Sequence, residues 1–194
     1  MTRLSYFLSV TIVLLVLSQF FMAYQSNKIE TPKYTVLKSY DDFELRQYGS
    51  MILAQTVMQS VSYENTSSQG FRTVASYIFG GNEENKKIAM TAPVIMEMGD
   101  DTKMSFVMPK EHSIESLPEP SSEEVKILKV SPKKYAVITF PGYANNKKID
   151  KYAKKLLKSI KSEGLQTVGN VKFMGYNAPW QVIGRKNEIA VEVK

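Results

Sequence analysis

Three kinds of hydrophobic pattern succeed one another along the chain. Residues 5–23, SYFLSVTIVLLVLSQFFMA, are an unbroken apolar run without a charge. The run is long enough to cross a hydrocarbon layer of about 30 Å as a helix, and it has no polar face with which to sit on a soluble core. Arg3 precedes it, which favours an N-terminus that stays cytoplasmic. An uncleaved anchor is favoured over a cleaved signal peptide, because Phe21 would stand at −3 if Ala23 were −1. Either reading exports the rest of the chain. The chain therefore divides into residues 1–27, a transmembrane anchor or signal segment with the start of a linker, and residues 28–194, a folded domain.

From Tyr34 the period changes to two, the mark of half-buried strands. Phe43, Leu45 and Gln47 alternate with Glu44 and Arg46, and Met51 to Met58 continues as a second strand. The period then lengthens. Phe71, Val74, Ala75 and Ile78 share one face of a helix read from TSSQGFRTVASYIFGG. Thr66 and Gln69 fit a capping box at its start, and Gly80 and Gly81 stop it. Gly70 in its first turn is unfavourable by roughly 1 kcal/mol, which predicts a close neighbour there. Two strands come next, Lys87 to Met98 and Lys103 to Met108. After the polar connector 111–124 the pattern repeats: strands at Val125 to Val130 and Tyr135 to Phe140, a helix with Ile149, Tyr152, Ala153, Leu156, Leu157 and Ile160 on one stripe, then strands at Val171 to Tyr176 and Asn187 to Val193. Strand, helix, strand, strand thus occurs twice. The expected fold is α+β: two βαββ halves merging into a distorted antiparallel barrel or two-sheet core, with the two helices over apolar faces.

KIAMTAPVIMEM, residues 87–98, departs from this regularity. Pro93 cannot donate to a ladder and belongs at an edge or bulge. A bulge there would bend the strand and open a cleft beside the first helix. Met90, Ala92 and Val94 would line it, facing Phe71, Val74, Ala75 and Ile78. The same residues are equally suited to plain core.

Composition removes more than it adds. With Cys 0 and His 1, disulfides, thiolate metal sites and multi-histidine zinc sites are excluded. His112 falls in the polar connector, where loops run over the surface. The net charge of +6 favours anionic partners without choosing one. Lys147, Lys148, Lys151, Lys154, Lys155, Lys158 and Lys161 line the polar side of the second helix, either as a solvated face or as a contact for anionic lipid. No nucleic-acid motif is present. FGGNEENKK lacks phosphate-loop spacing.

Four blocks carry a family resemblance: FELRQYG (43–49), GFRTVASYIFGGNEENKKIAMTAPV (70–94), the stretch from MPKEH to FPGYANN, and YNAPWQVIGRKNEIAV (176–191). Together they resemble the SOUL haem-binding protein family over nearly everything after residue 33. The resemblance implies two βαββ halves, binding of haem or a related tetrapyrrole in an apolar cleft, and no fixed reaction. Where some members carry a histidine proposed as an iron ligand, this chain has Gln47, so haem is expected without a histidine axial ligand. The candidate cofactor-binding set is Phe71, Val74, Ala75, Ile78, Lys86, Lys87, Met90, Ala92 and Val94, with the two lysines meeting propionates. A hydrolase on the same scaffold would need a buried carboxylate, for which Glu44 and Glu97 are candidates by position. An effector-binding module or a lipid-interaction domain are the other readings of this architecture.

Overall fold

The computed structural model describes residues 3–26, 28–58 and 63–194. Helix α1 (Arg3–Ser26) leads into strands β1 (Tyr34–Ser39), β2 (Glu44–Tyr48) and β3 (Met51–Met58), helix α2 (Tyr63–Ile78), and strands β4 (Val94–Glu97) and β5 (Thr102–Val107). The second half comprises β6 (Lys126–Val130), β7 (Lys133–Pro141), α3 (Asn146–Ser162), β8 (Thr167–Gly175) and β9 (Lys186–Val193).

All nine strands belong to one antiparallel sheet in the order β1-β2-β7-β9-β8-β4-β5-β3-β6. The duplication is visible in that order. β3-α2-β4-β5 packs as β3, β5, β4, and β7-α3-β8-β9 packs as β7, β9, β8. The units join where β4 pairs with β8, Ile95 opposite Met174. Each unit also lends its preceding strand to the other: β2 pairs with β7, and β6 with β3. The sheet curls into a half-barrel and does not close into a full one.

Both helices cover the convex face. There Val74, Tyr77 and Ile78 of α2 and Ile149, Leu156 and Ile160 of α3 are at most 1% exposed and pack on Ala54, Met96, Phe106, Ala136 and Ile189. Leu157, placed on the same stripe by periodicity, is exposed, while Ile149, Ala153, Leu156 and Ile160 are buried. Asn145 caps α3 by accepting from the Lys148 amide at 2.9 Å, a start signal of the usual kind.

Three sequence expectations need correction. Helix α2 already includes residue 66, so it does not start at Thr66 as the expected capping box requires; residues 59–62 lie outside the described ones. The strand expected from Lys87 is regular only from Val94, because Lys87 makes an isolated bridge to Phe79 and the chain between is irregular. Pro93 is not at a sheet edge: it is buried, comes after a cis peptide bond, and immediately precedes β4, an interior strand between β5 and β8. A strand's first position tolerates a missing N–H, which reconciles proline with an interior strand. The expected neighbour of Gly70 is present. A Cβ there would strike Met58 Sδ and lie 3.3 Å from Met104 Cβ. Gly80 has φ +110°, and a Cβ on Gly81 would lie 2.7 Å from the Ser76 carbonyl oxygen. The double glycine is therefore required where α2 turns back.

Candidate functional site

Strand alternation sends every second side chain to the concave face, over which no α-helix packs among the described residues. On β2 these are Glu44, Arg46 and Tyr48; on β4, Ile95 and Glu97; on β9, Glu188 and Ala190. Pro93 joins them just ahead of β4. Tyr48, Leu53, Ile95, Val107, Tyr135, Val137, Met174 and Ala190 form a second buried apolar cluster, separate from the helix-covered core. Tyr48 and Tyr135 meet edge to face at 5.7 Å, a favoured aromatic geometry.

A slot of about 170 Å³ opens in this face. Tyr48, Lys133 and Tyr135 line one side, Leu53, Leu128 and Val130 the other, and Ile95 and Met174 lie between. Walls contributed from both halves of the strand order meet only because the sheet curls. Pro32 and Met51 border both the slot and a second depression of about 550 Å³. The depression carries Lys33, Lys110, Lys129 and His112. His112 is on a loop as expected, yet its side chain is only 12% exposed, 3.8 Å from the Glu111 carboxylate. The linker helps to form this region: Glu30 accepts from the Ala92 amide through its carbonyl and from the Lys110 amide through its carboxylate, both at 2.9 Å.

The other end of the concave face is polar and closed. The fully buried Glu188 carboxylate accepts from Tyr176 Oη at 2.6 Å, from an Arg46 guanidinium nitrogen at 3.0 Å and from Thr139 Oγ1 at 3.2 Å, and pairs with Lys186 Nζ at 2.9 Å. Arg46 also donates to Glu44 at 2.7 Å and lies over the Tyr34 ring at 4.3 Å. Burial alone would raise the Glu188 carboxyl, but the Tyr176 hydroxyl, Arg46 and Lys186 outweigh it and hold the group below the usual carboxylate range. Burial pushes the hydroxyls of Tyr48 and Tyr135 up to about 12. Glu188 is thus an ionised, fully partnered group, and in the slot Glu97 is ion-paired with Lys172. A general base needs a carboxylate poised to take a proton. Neither residue is so placed, and Glu44 is tied to Arg46.

The candidate residues read from the sequence fall in three places. Val74, Ala75, Ile78 and Ala92 are buried, with Phe71 and Val94 half-buried against the convex core. Lys86 and Lys87 are exposed on the turn after α2, and Met90 is 39% exposed. Where a cleft beside α2 was expected, Met96, Met104 and Phe106 are buried in the core. The concave residues had a weaker signal, since Pro93, Ile95 and Glu97 are simply the other parity of the same strand. Gln47 has the parity opposite to Arg46 and Tyr48, and its side-chain amide turns back to the Tyr48 carbonyl at 3.0 Å. The position compared with an iron-binding histidine therefore does not face the slot.

A family model described as SOUL heme-binding protein matches residues 29–192. Heme-binding protein 2 of Mus musculus is 27% identical over 180 residues, spanning 85% of this chain and 86% of the mouse protein. Heme-binding protein 2 of Homo sapiens is 28% identical over 156 residues, 76% of each. Among solved structures, the C-terminal domain of EcmrR superposes with a TM-score of 0.61 at 7% identity, over 83% of this chain and 98% of that domain, a likeness of fold alone. Model match, curated relatives and duplicated half-barrel agree: this chain belongs to the SOUL heme-binding protein family.

Proposed function

We propose that the chain binds haem or a related tetrapyrrole on the concave face of the half-barrel, without a catalytic step, beside a membrane to which α1 tethers it. The observation that carries this reading is the slot between Tyr48, Tyr135, Leu53, Leu128 and Met174, continued past Met51 into a depression edged by lysines. Ligand sites combine apolar walls with a few placed polar groups over some 300–1,000 Å³. The slot alone is smaller than that, so it would take one edge of a planar macrocycle, and the depression the remainder. Methionine and tyrosine side chains present soft, flat contact surface. Lys33, Lys110 and Lys129 could meet propionates by charge-assisted hydrogen bonds. When bound, haem would supply its own iron chemistry, and the chain's part is to hold and shield the ring.

The tether rests on the 21-residue stretch Ser5–Gln25, with mean hydropathy 2.1 and no residue of its apolar window buried by the domain. Arg3 ahead of it favours export of the domain.

Hemin titration of the full chain in detergent tests the binding. A saturable Soret shift at one equivalent is expected. Leu128, 39% exposed at the slot wall, can be changed with little risk to the fold. Leu128→Asp should weaken binding about tenfold, or ~1.4 kcal/mol. A response that never saturates, in both wild type and variant, would refute a specific site.

A further inference from the structure

The loop 177–185 has its polarity inverted for a water-facing segment. Its polar groups turn inward. Arg185 donates to the carbonyls of Ala178 and Gln181 at 2.7 and 2.6 Å, and the Gln181 side chain, 2% exposed, donates to the Ile183 carbonyl at 2.9 Å. Its apolar groups turn outward: Trp180 is 68% exposed, Val182 57% and Ile183 37%. Tyr143 extends the patch from a neighbouring loop, 49% exposed, donating to the Pro179 carbonyl at 3.2 Å beneath the Arg185 guanidinium, 4.1 Å from its ring. Such a clamped loop holds its greasy side outward and cannot simply fold it away.

This loop touches α1. The Val182 amide donates to Gln19 Oε1 at 2.9 Å, and Gly184 lies against Ala23, whose Cβ is 3.9 Å from where a Cβ on Gly184 would stand. Gln19 lies six residues before Gln25, about 9 Å along a helix at 1.5 Å per residue. Apolar groups of interfacial segments sink about 5–10 Å into the boundary between headgroups and acyl chains. Tryptophan and tyrosine concentrate at that level. Lys28, at the domain side of α1 with its ammonium 4.6 Å from the Tyr24 ring centroid, suits anionic headgroups.

We infer that Trp180, Val182, Ile183 and Tyr143 form a second membrane contact, dipping into the phospholipid interface beside α1 and fixing the domain's orientation on the bilayer. The inference rests on the reading of α1 as a membrane span. The occupant of the patch is lipid, because the patch is continuous with the one helix among the described residues that is built for lipid.

Trp180 is the chain's single tryptophan, so its fluorescence reports this loop alone. The full chain is reconstituted into phosphatidylcholine–phosphatidylglycerol vesicles whose acyl chains are brominated either near the headgroups or near the bilayer centre. Expected are a blue-shifted Trp180 emission, strong quenching by the shallow bromines, and weaker quenching by the deep ones. Val182→Asp with Ile183→Asp should abolish that quenching while the chain still floats with the vesicles and resists carbonate extraction. Carbonate-resistant flotation with an unquenched Trp180 in the wild type overturns the loop contact and leaves the tether intact; the patch then awaits a protein partner. A chain that does not float refutes the tether, and the loop contact with it.

Discussion

The two faces of one sheet are finished in opposite ways. The convex face is covered by α2 and α3, with Ala54, Val74, Leu156 and Ile189 wholly buried and a depression of about 540 Å³ at the margin of α2, beside Met58, Gly70 and Thr73. Among the described residues the concave face has no α-helix packed over it, and its curl leaves a slot at one end and a buried ion cluster at the other. The same strands supply both. Val94 and Met96 look to the helices, Ile95 and Glu97 to the slot. On the proposed reading, helix packing and ligand contact are separated on β4 by a one-residue parity, and substitutions of the apolar residues should sort by face.

The largest loss of stability is expected at the ion cluster. Glu188→Ala leaves Arg46 buried without its main partner, which should cost about 3–5 kcal/mol by denaturant midpoint. On the convex face, Leu156→Ala should cost about 2–5 kcal/mol, with hemin affinity of the folded protein unchanged. Equal loss of hemin affinity in this variant and in Leu128→Asp would erase the distinction between faces.

pH sharpens the comparison within the concave face. Glu188 has a folded pKa below its unfolded value of roughly 4.3. Its contribution is complete above that value and disappears as pH falls through the folded pKa. Stability should therefore decline below about pH 4.3, less steeply in Glu188→Gln. Tyr48 and Tyr135 run the other way: their contribution is whole below about pH 10 and is lost as pH rises through about 12. A Glu188→Gln variant with an unaltered acid limb would remove the carboxylate from this account.

The smallest effects belong to residues outside the slot walls. Met90→Asp should change hemin affinity by less than about threefold, under 0.7 kcal/mol. His112→Ala should likewise retain the Soret band if the ring is held by apolar contact, as proposed. Loss of that band would make His112 an iron ligand.

Much of the architecture was legible because it is periodic. The two helix stripes and the repeated strand-helix-strand-strand order needed only local pattern, and Gly70 announced its close neighbour by being costly where it stands. The site was harder to read for a physical reason. Arg46 and Glu44 scan as the wet side of a half-buried strand, yet Arg46 is 4% exposed, because its partner Glu188 lies 142 positions away. Pro93 signalled an irregularity correctly, but whether the strand after it was an edge depended on β8, which the local sequence does not mention. Parity then decided which side chains of 94–97 face the helix-covered core and which face the slot.

The methionines mark both faces and so provide the most direct test. Methyl spectra of the full chain carrying ¹³C-methyl methionine are recorded as a diamagnetic zinc porphyrin is added. The account predicts ring-current shifts at Met51 and Met174, with Met96 and Met104 unmoved. Shifts at Met96 and Met104, with Met51 and Met174 unchanged, would contradict it and return the tetrapyrrole to the helix-covered side.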